Sequence, residues 1–317
     1  MINSQPNILV FSSNDAEEYA DCVRSYGFTS VQTAETLEEA ERVLPGTEVI
    51  LGWKFPTQLL NQPCSSSIRW FQSMGAGVND LLADQSIPNN IIITRIVGQF
   101  GAYISEYVFT YLLYLLKDVN RMRQAAVDRQ WDNFMTDTLE DKIIGIAGLG
   151  SIGSEIIRKS RAFDMKVYGL SYSGKNAHWV DRHFHPNEWK VFVKDLDYLV
   201  LTLPLTNDTY HIITRDILLS LKPKACLVNV GRGALINEDD LISVMESGHL
   251  SSAVLDVFEI EPLPKEHAFY RLPNVYVTSH LSGPSTAEGV GKFFSENIKR
   301  FINGQPLLGL VDRALGY

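Results

Sequence analysis

Three glycines at fixed offsets, Gly148, Gly150 and Gly153 in the string GLGSIG, restrict the fold of this 317-residue chain more than any other feature. The apolar run KIIGIA at 142–147 precedes them, and SEIIRKSRAF follows with Ile156, Ile157 and Phe163 at helical spacing. That order reads as strand, tight turn and helix start. The string alone is unspecific, so its meaning comes from this context. Gly148 permits the turn, Gly150 lets the backbone approach a phosphate, and Gly153 allows the helix to pack closely on the strand. The amides that open such a helix suit the pyrophosphate of a dinucleotide. The plainer reading is an ordinary glycine-rich βα turn.

The surrounding sequence repeats the rhythm. Short β-rich runs at 7–12 and 28–33 alternate with amphipathic segments at 16–26 and 37–44, and further strands are expected at 48–51, 69–73 and 91–95. A helical pattern runs from about 102 to 126. Strands then recur at 142–147, 166–171, 198–203, 226–230, 253–258 and 275–279. Alternation of this kind predicts an α/β chain with two Rossmann-like or flavodoxin-like domains, each a doubly wound parallel sheet, and an active-site cleft between them. The expected division is 1–99 plus 287–317 for substrate and 100–286 for a dinucleotide. The last helical pattern, 286–302, meets Asn303, Gly304 and Pro306, which stop a helix. No strand pattern follows, so the tail is expected to pack back on the first domain.

Composition removes whole classes of function. With 45% hydrophobic and 21% charged residues the chain is globular, and 28 Lys+Arg against 37 Asp+Glu leave a formal charge of −9. Such a balance argues against nucleic acid or an anionic membrane as the main partner. The apolar stretch 107–116 is well short of the roughly 20 residues that a membrane helix needs. The opening residues have no Lys or Arg before Arg24 and only four consecutive apolar residues, Ile8 to Phe11. A signal peptide is therefore not expected, and a cytoplasmic location is. Cys22, Cys64 and Cys226 form no CxxC pair and are read as packing residues, and no metal site is expected.

Where an acidic residue usually holds the ribose hydroxyls of NAD, roughly 20 positions after the glycines, the chain reads LSYSGK. Ser171, Tyr172 and Ser173 offer hydroxyls and Lys175 a charge, which suits a 2′-phosphate better than a diol; the alternative is a solvated loop. After the strand CLVNV, Asn237 reads as a helix N-cap ahead of Glu238, Asp239 and Asp240, leaving Arg232 on a loop at the carboxyl edge of the sheet. A guanidinium there can clamp a carboxylate in two parallel hydrogen bonds. Glu261 and His280 share that edge, and a carboxylate beside a histidine favours the charged ring that protonates a carbonyl oxygen. His178, His183 and His185 cluster between the second strand and a helix and are read as ordinary loop residues. His211, His249 and His267 show no paired acid in a suitable setting. Tyr107, Phe109, Tyr111 and Tyr114 read as core or as a subunit surface.

GLGSIG, NVGRGALINEDDL, LDVFEIEPLP and NVYVTSHLSG resemble, in order and spacing, the signatures of the D-isomer-specific 2-hydroxyacid dehydrogenases. SMGAGVNDL at 73–81 is similar to that family's substrate-carboxylate loop, and the tail VDRALGY resembles its glyoxylate/hydroxypyruvate reductase A branch. The resemblance implies Arg232 as substrate anchor, Glu261 as orienting partner and His280 as acid/base. It implies that backbone amides near Ala76, Gly77 and Val78 bind the substrate carboxylate and that Trp53 lines the pocket. The implied cofactor set is Gly148, Gly150, Ser151, Ile152, Gly153, Ser171, Tyr172, Ser173, Lys175, Leu203, Pro204, Val230, Gly231, Arg232, Asp256, His280 and Gly283. NADPH is the expected cofactor and NADH the alternative. A homodimer is implied, with the helix after residue 101 and the segment around Trp131 in contact. The expected activity is reduction of small 2-ketoacids such as glyoxylate and hydroxypyruvate; a dehydrogenase for a bulkier D-2-hydroxyacid and a nucleotide-sensing co-repressor-like protein are the alternatives.

Overall fold

The computed structural model describes residues 5–84 and 87–316, apart from the side chains of Asp80 and Ala83. Tyr317, the last residue of the tail motif, and Met1 to Ser4 of the opening segment lie outside the described residues. The chain divides into two compact units, Met1–Gln99 with Ser285–Tyr317, and Phe100–Pro284.

In the first unit β1 (Ile8–Phe11), α1 (Ala16–Ser25), β2 (Val31–Ala34), α2 (Leu37–Val43), β3 (Val49–Gly52), β4 (Trp70–Ser73), α3 (Asn79–Ala83) and β5 (Ile92–Thr94) follow one another. The second unit begins with α4 (Gly101–Leu116) and α5 (Val119–Val127), then β6 (Ile143–Ala147), α6 (Ser151–Ala162), β7 (Lys166–Leu170) and β8 (Arg182–Phe184). It continues with α7 (Trp189–Val193), β9 (Tyr198–Leu201), α8 (Arg215–Ser220), β10 (Cys226–Asn229), α9 (Glu238–Glu246), β11 (Ser252–Leu255) and β12 (Val275–Val277). The chain returns to the first unit with α10 (Ala287–Ile302).

Both sheets are parallel throughout. The first has the order β2-β1-β3-β4-β5, a flavodoxin-like winding. The second runs β8-β7-β6-β9-β10-β11-β12, which is the Rossmann order with one strand added. Strands covered on both faces read as near-continuous apolar runs, and VILG of β3 and YLVL of β9 are buried at every position. Each unit has its own core: Leu9, Ile50, Phe71 and Ile93 in the first, Leu170, Phe192, Leu199 and Leu227 in the second.

Three details depart from the sequence reading or fill it in. The long helix expected over 102–126 breaks at Asp118, whose backbone is left-handed at φ 48° and whose carboxylate accepts from Arg121 N. A side chain that caps a new helix start competes with continuing the old one. A seventh strand, β8, was missed: RHF is three residues long and its neighbours carry no alternation. The tail lies along β5, with Val311 N donating to Ile93 O and Arg95 N donating to Gly309 O. Among the described residues no helix is long and apolar enough to cross a membrane.

Candidate active site

The glycine turn leaves β6 at Ala147. Gly148 has φ +104°, a conformation that side chains rarely adopt. A Cβ on Gly153 would lie 2.0 Å from the Gly148 carbonyl oxygen, so α6 can start this close to the turn only with glycine there. Gly150 has no heavy atom within 4 Å of its would-be Cβ, and no side chain caps the twelve-residue α6. An open, side-chain-free helix start with Ser151 and Ile152 in its first turn fits a pyrophosphate.

At the end of β7 Ser171 is buried, and its hydroxyl lies 2.9 Å from His183 Nε2. His183 thus sits on β8 rather than on a loop, because Gly169 of β7 pairs with it across the sheet. Tyr172, Ser173 and Lys175 are exposed. Asn176 Nδ2 donates to Leu149 O at 2.6 Å and to Ser154 Oγ at 3.2 Å, fastening this loop to the glycine turn.

Further along the same sheet edge, Asn229 is fully buried at the end of β10, accepting from Gly231 N and donating to the Arg232 carbonyl. Arg232 is half-buried, and its Nη1 donates to Gly231 O at 2.6 Å. Gly233 lets the Arg232 loop touch the chain after β11: a Cβ there would lie 1.8 Å from the Phe258 carbonyl carbon. Phe258 N in turn donates to Glu261 Oε1 at 2.9 Å, and Glu261 Oε2 meets His280 Nδ1 at 2.8 Å. Arg232, Glu261 and His280 therefore belong to three loops linked by short contacts. Leu203, Pro204, Val230 and Gly231 border them: Val230 N donates to Leu201 O, and Gly231 abuts the Leu203 carbonyl. Gly283 instead packs on Ile104 of α4.

Asp256 follows β11 and is fully buried, with its carboxylate accepting from Thr278 Oγ1 at 2.6 Å, Leu281 N at 3.0 Å and Ser282 N at 2.9 Å. It holds the loop on which His280 stands with φ +53°. Tyr107 of α4 shares a 2.7 Å hydrogen bond with Thr278, and burial pushes its phenol well above the usual range.

The first unit carries the other expected residues. Trp53 lies over Gly75, where a Cβ would be 2.7 Å from its ring, so a side chain there would displace the indole. Arg95 Nη1 donates to Ala76 O at 3.1 Å. A carbonyl held on that side turns the N–H of the same peptide, that of Gly77, to the opposite side. Val78 is buried and opens α3.

Residues 109–282 match the family described as D-isomer specific 2-hydroxyacid dehydrogenase, NAD binding domain. The chain belongs to the D-isomer specific 2-hydroxyacid dehydrogenases. It is 29% identical over 273 residues to glyoxylate/hydroxypyruvate reductase A of Serratia proteamaculans, covering 84% of this chain and 87% of that relative. A family protein from Aeromonas salmonicida superposes with a TM-score of 0.89 at 34% identity, over 98% of this chain and 100% of the other. An NADPH-dependent glyoxylate/hydroxypyruvate reductase from Sinorhizobium meliloti, in complex with NADP and sulfate, does so with 0.88 at 28% identity, over 98% and 100%.

In this 2-hydroxyacid dehydrogenase, sequence reasoning named the buried Asp256 but left out Asn229. Asn229 is part of the quoted NVGRGALINEDDL stretch, but nothing local marks it as the residue that shapes the Arg232 loop. Acids do lie beside two of the other histidines: His211 Nε2 is 3.1 Å from Glu259, and His267 Nε2 is 3.3 Å from Glu238. Those acids are 48 and 29 positions away along the chain, and only the packed sheet edge brings them near. His249 meets the Leu221 carbonyl. Among the described residues no group of three or more His, Cys, Asp or Glu is placed to hold a metal.

Proposed function

We propose that the protein is an NADPH-linked reductase of small 2-ketoacids, with glyoxylate and hydroxypyruvate as substrates. The observation that carries this reading is the linked set of Arg232, Glu261 and His280 on the edge that also holds the glycine turn. Two relatives support it: one is named glyoxylate/hydroxypyruvate reductase A, and the other an NADPH-dependent glyoxylate/hydroxypyruvate reductase solved in complex with NADP.

A bound nicotinamide supplies the hydride. The protein's own residues do the rest. Arg232 binds the substrate carboxylate through its planar fork and draws electron density from the adjacent ketone. Glu261 holds His280 by Nδ1, so the ring is oriented, and Nε2 delivers a proton to the alkoxide as it forms. Residues 100–286 take the dinucleotide role. Residues 1–99 with 287–317 take the substrate role, in which the amides near Ala76, Gly77 and Val78 offer donors to a carboxylate. The chain works as a homodimer in this reading, supported by Trp131 and Met135, which are 97% and 95% exposed as a monomer.

The test is loss of absorbance at 340 nm with NADPH and a panel of 2-ketoacids. Fast oxidation with glyoxylate and hydroxypyruvate and slow oxidation with phenylpyruvate supports the reading. Faster turnover of the bulky acid overturns the substrate class, and no turnover of any acid overturns the reductase. A light-scattering mass of one chain would remove the dimer.

A further inference from the structure

We propose that His183 is a positioning residue for cofactor choice: its hydrogen bond to Ser171 decides whether that hydroxyl can donate to a 2′-phosphate. The inference rests on the NADPH reading above.

In doubly wound nucleotide folds, the carboxyl end of the second strand is where the adenosine ribose is recognised. That strand is β7, and Ser171 is the first residue beyond it. Its backbone is fixed by the neighbouring strand, with Ser171 N donating to Phe184 O at 3.1 Å. Its hydroxyl lies 2.9 Å from His183 Nε2 in a part-buried contact, so the two side chains act as a pair. A serine hydroxyl has a single hydrogen to give and two lone pairs.

Two arrangements of that pair differ in what they offer a ligand. When Nε2 carries a hydrogen, His183 donates to Ser171, which occupies a lone pair and turns the serine's own hydrogen toward an outside acceptor. When Nε2 is bare, Ser171 spends its hydrogen on the ring and presents only lone pairs. A phosphate monoester is acceptor-rich and carries nearly two negative charges, so only the first arrangement suits it. A ribose diol both donates and accepts and is served by either. His183 therefore bears on the choice between the two cofactors more than on nucleotide binding as such. The loop itself is held independently, by Asn176 on Leu149 and Ser154, so removing His183 leaves its anchor in place. Lys175 and Tyr172, both exposed on that loop, supply charge and a further hydroxyl but do not touch the polarity of Ser171.

The experiment is calorimetric titration of the full-length protein with adenosine 2′,5′-bisphosphate and with 5′-AMP, at one pH. Variants are His183→Leu and His183→Ala, which lack a donor, and His183→Gln, whose side-chain amide keeps an N–H at similar reach. Wild type should prefer the bisphosphate. Each donor-less variant leaves the Ser171 hydrogen free but no longer turns it outward, and should lose about threefold of that preference, with 5′-AMP affinity within about twofold. His183→Gln should restore most of it. In a Ser171→Ala background the same His183 changes should have little further effect, because the two act through one hydrogen bond. A donor-less variant that keeps the wild-type preference, or a Gln variant as poor as Leu, overturns the role of His183 while leaving the NADPH reading intact. A wild type that does not distinguish the two nucleotides overturns both.

Discussion

Nδ1 of His280 lies 2.8 Å from Oε2 of Glu261, and the other oxygen of that carboxylate accepts from Phe258 N on the segment against which Gly233 packs. One carboxylate therefore orients the proposed acid and ties it to the loop of the proposed anchor. Glu261→Gln should lower turnover by loosening the hold on Nδ1, with NADPH affinity little changed. His280→Ala should lose roughly 10²-fold or more in turnover. Near wild-type rates in the Ala variant, under conditions where chemistry limits, would take His280 out of the mechanism.

Arg232→Lys keeps the charge and loses the planar fork. The expected result is a large fall in kcat/KM for 2-ketoacids with NADPH affinity little changed. Should the Lys variant reduce glyoxylate as well as wild type, the anchor is elsewhere, and Arg95 beside the Ala76 carbonyl is the first place to look.

At Ser171 the chain lacks the carboxylate that normally repels a 2′-phosphate. Ser171→Asp should restore that barrier and turn the ratio of kcat/KM for NADPH and NADH toward NADH. Lys175→Ala should weaken NADPH alone, and added salt should reduce the difference. An Asp variant with full NADPH preference would show that recognition lies outside this loop.

Gly153→Ala places a methyl group 2.0 Å from the Gly148 carbonyl oxygen, a backbone atom that cannot rotate away. The turn or α6 has to move, at a cost of about 1–3 kcal/mol or more. Both the unfolding midpoint and the affinity for dinucleotide should drop. A variant with wild-type values of both would mean that the turn is not built as described.

Burial pushes the Cys226 thiol up to about 11. In the unfolded chain a thiol ionises near ~8.5, so the unfolded state loses its proton first as pH rises. The stabilisation is complete below that value and is lost toward pH 11, on the order of 3 kcal/mol. Tyr198, raised by burial as well, acts in the same direction. Urea midpoints at pH 8 and pH 10.5 should fall less steeply in Cys226→Ala than in wild type. An equal slope would exclude Cys226 as a contributor.

Features that depend on neighbours a few residues apart are legible along the chain. Alternating apolar runs set the βα units, GLGSIG set the turn before α6, and Asn237 set the start of α9, where it accepts from Asp240 N. Residue type also placed Arg232, Glu261 and His280 on loops at strand ends. What tertiary structure decided is which of those loops meet. The pairing of Glu261 with His280 depends on β11 and β12 lying side by side, and that of Ser171 with His183 depends on β8, whose three residues carry no local pattern. Asp256 could have faced a ligand or the protein; the packed loop after β12 gives its carboxylate three donors. Local patterns encode conformation over one or two turns of chain, whereas these contacts join residues 12 to 26 positions apart whose approach is set by strand order and by the close packing of glycine-bearing loops.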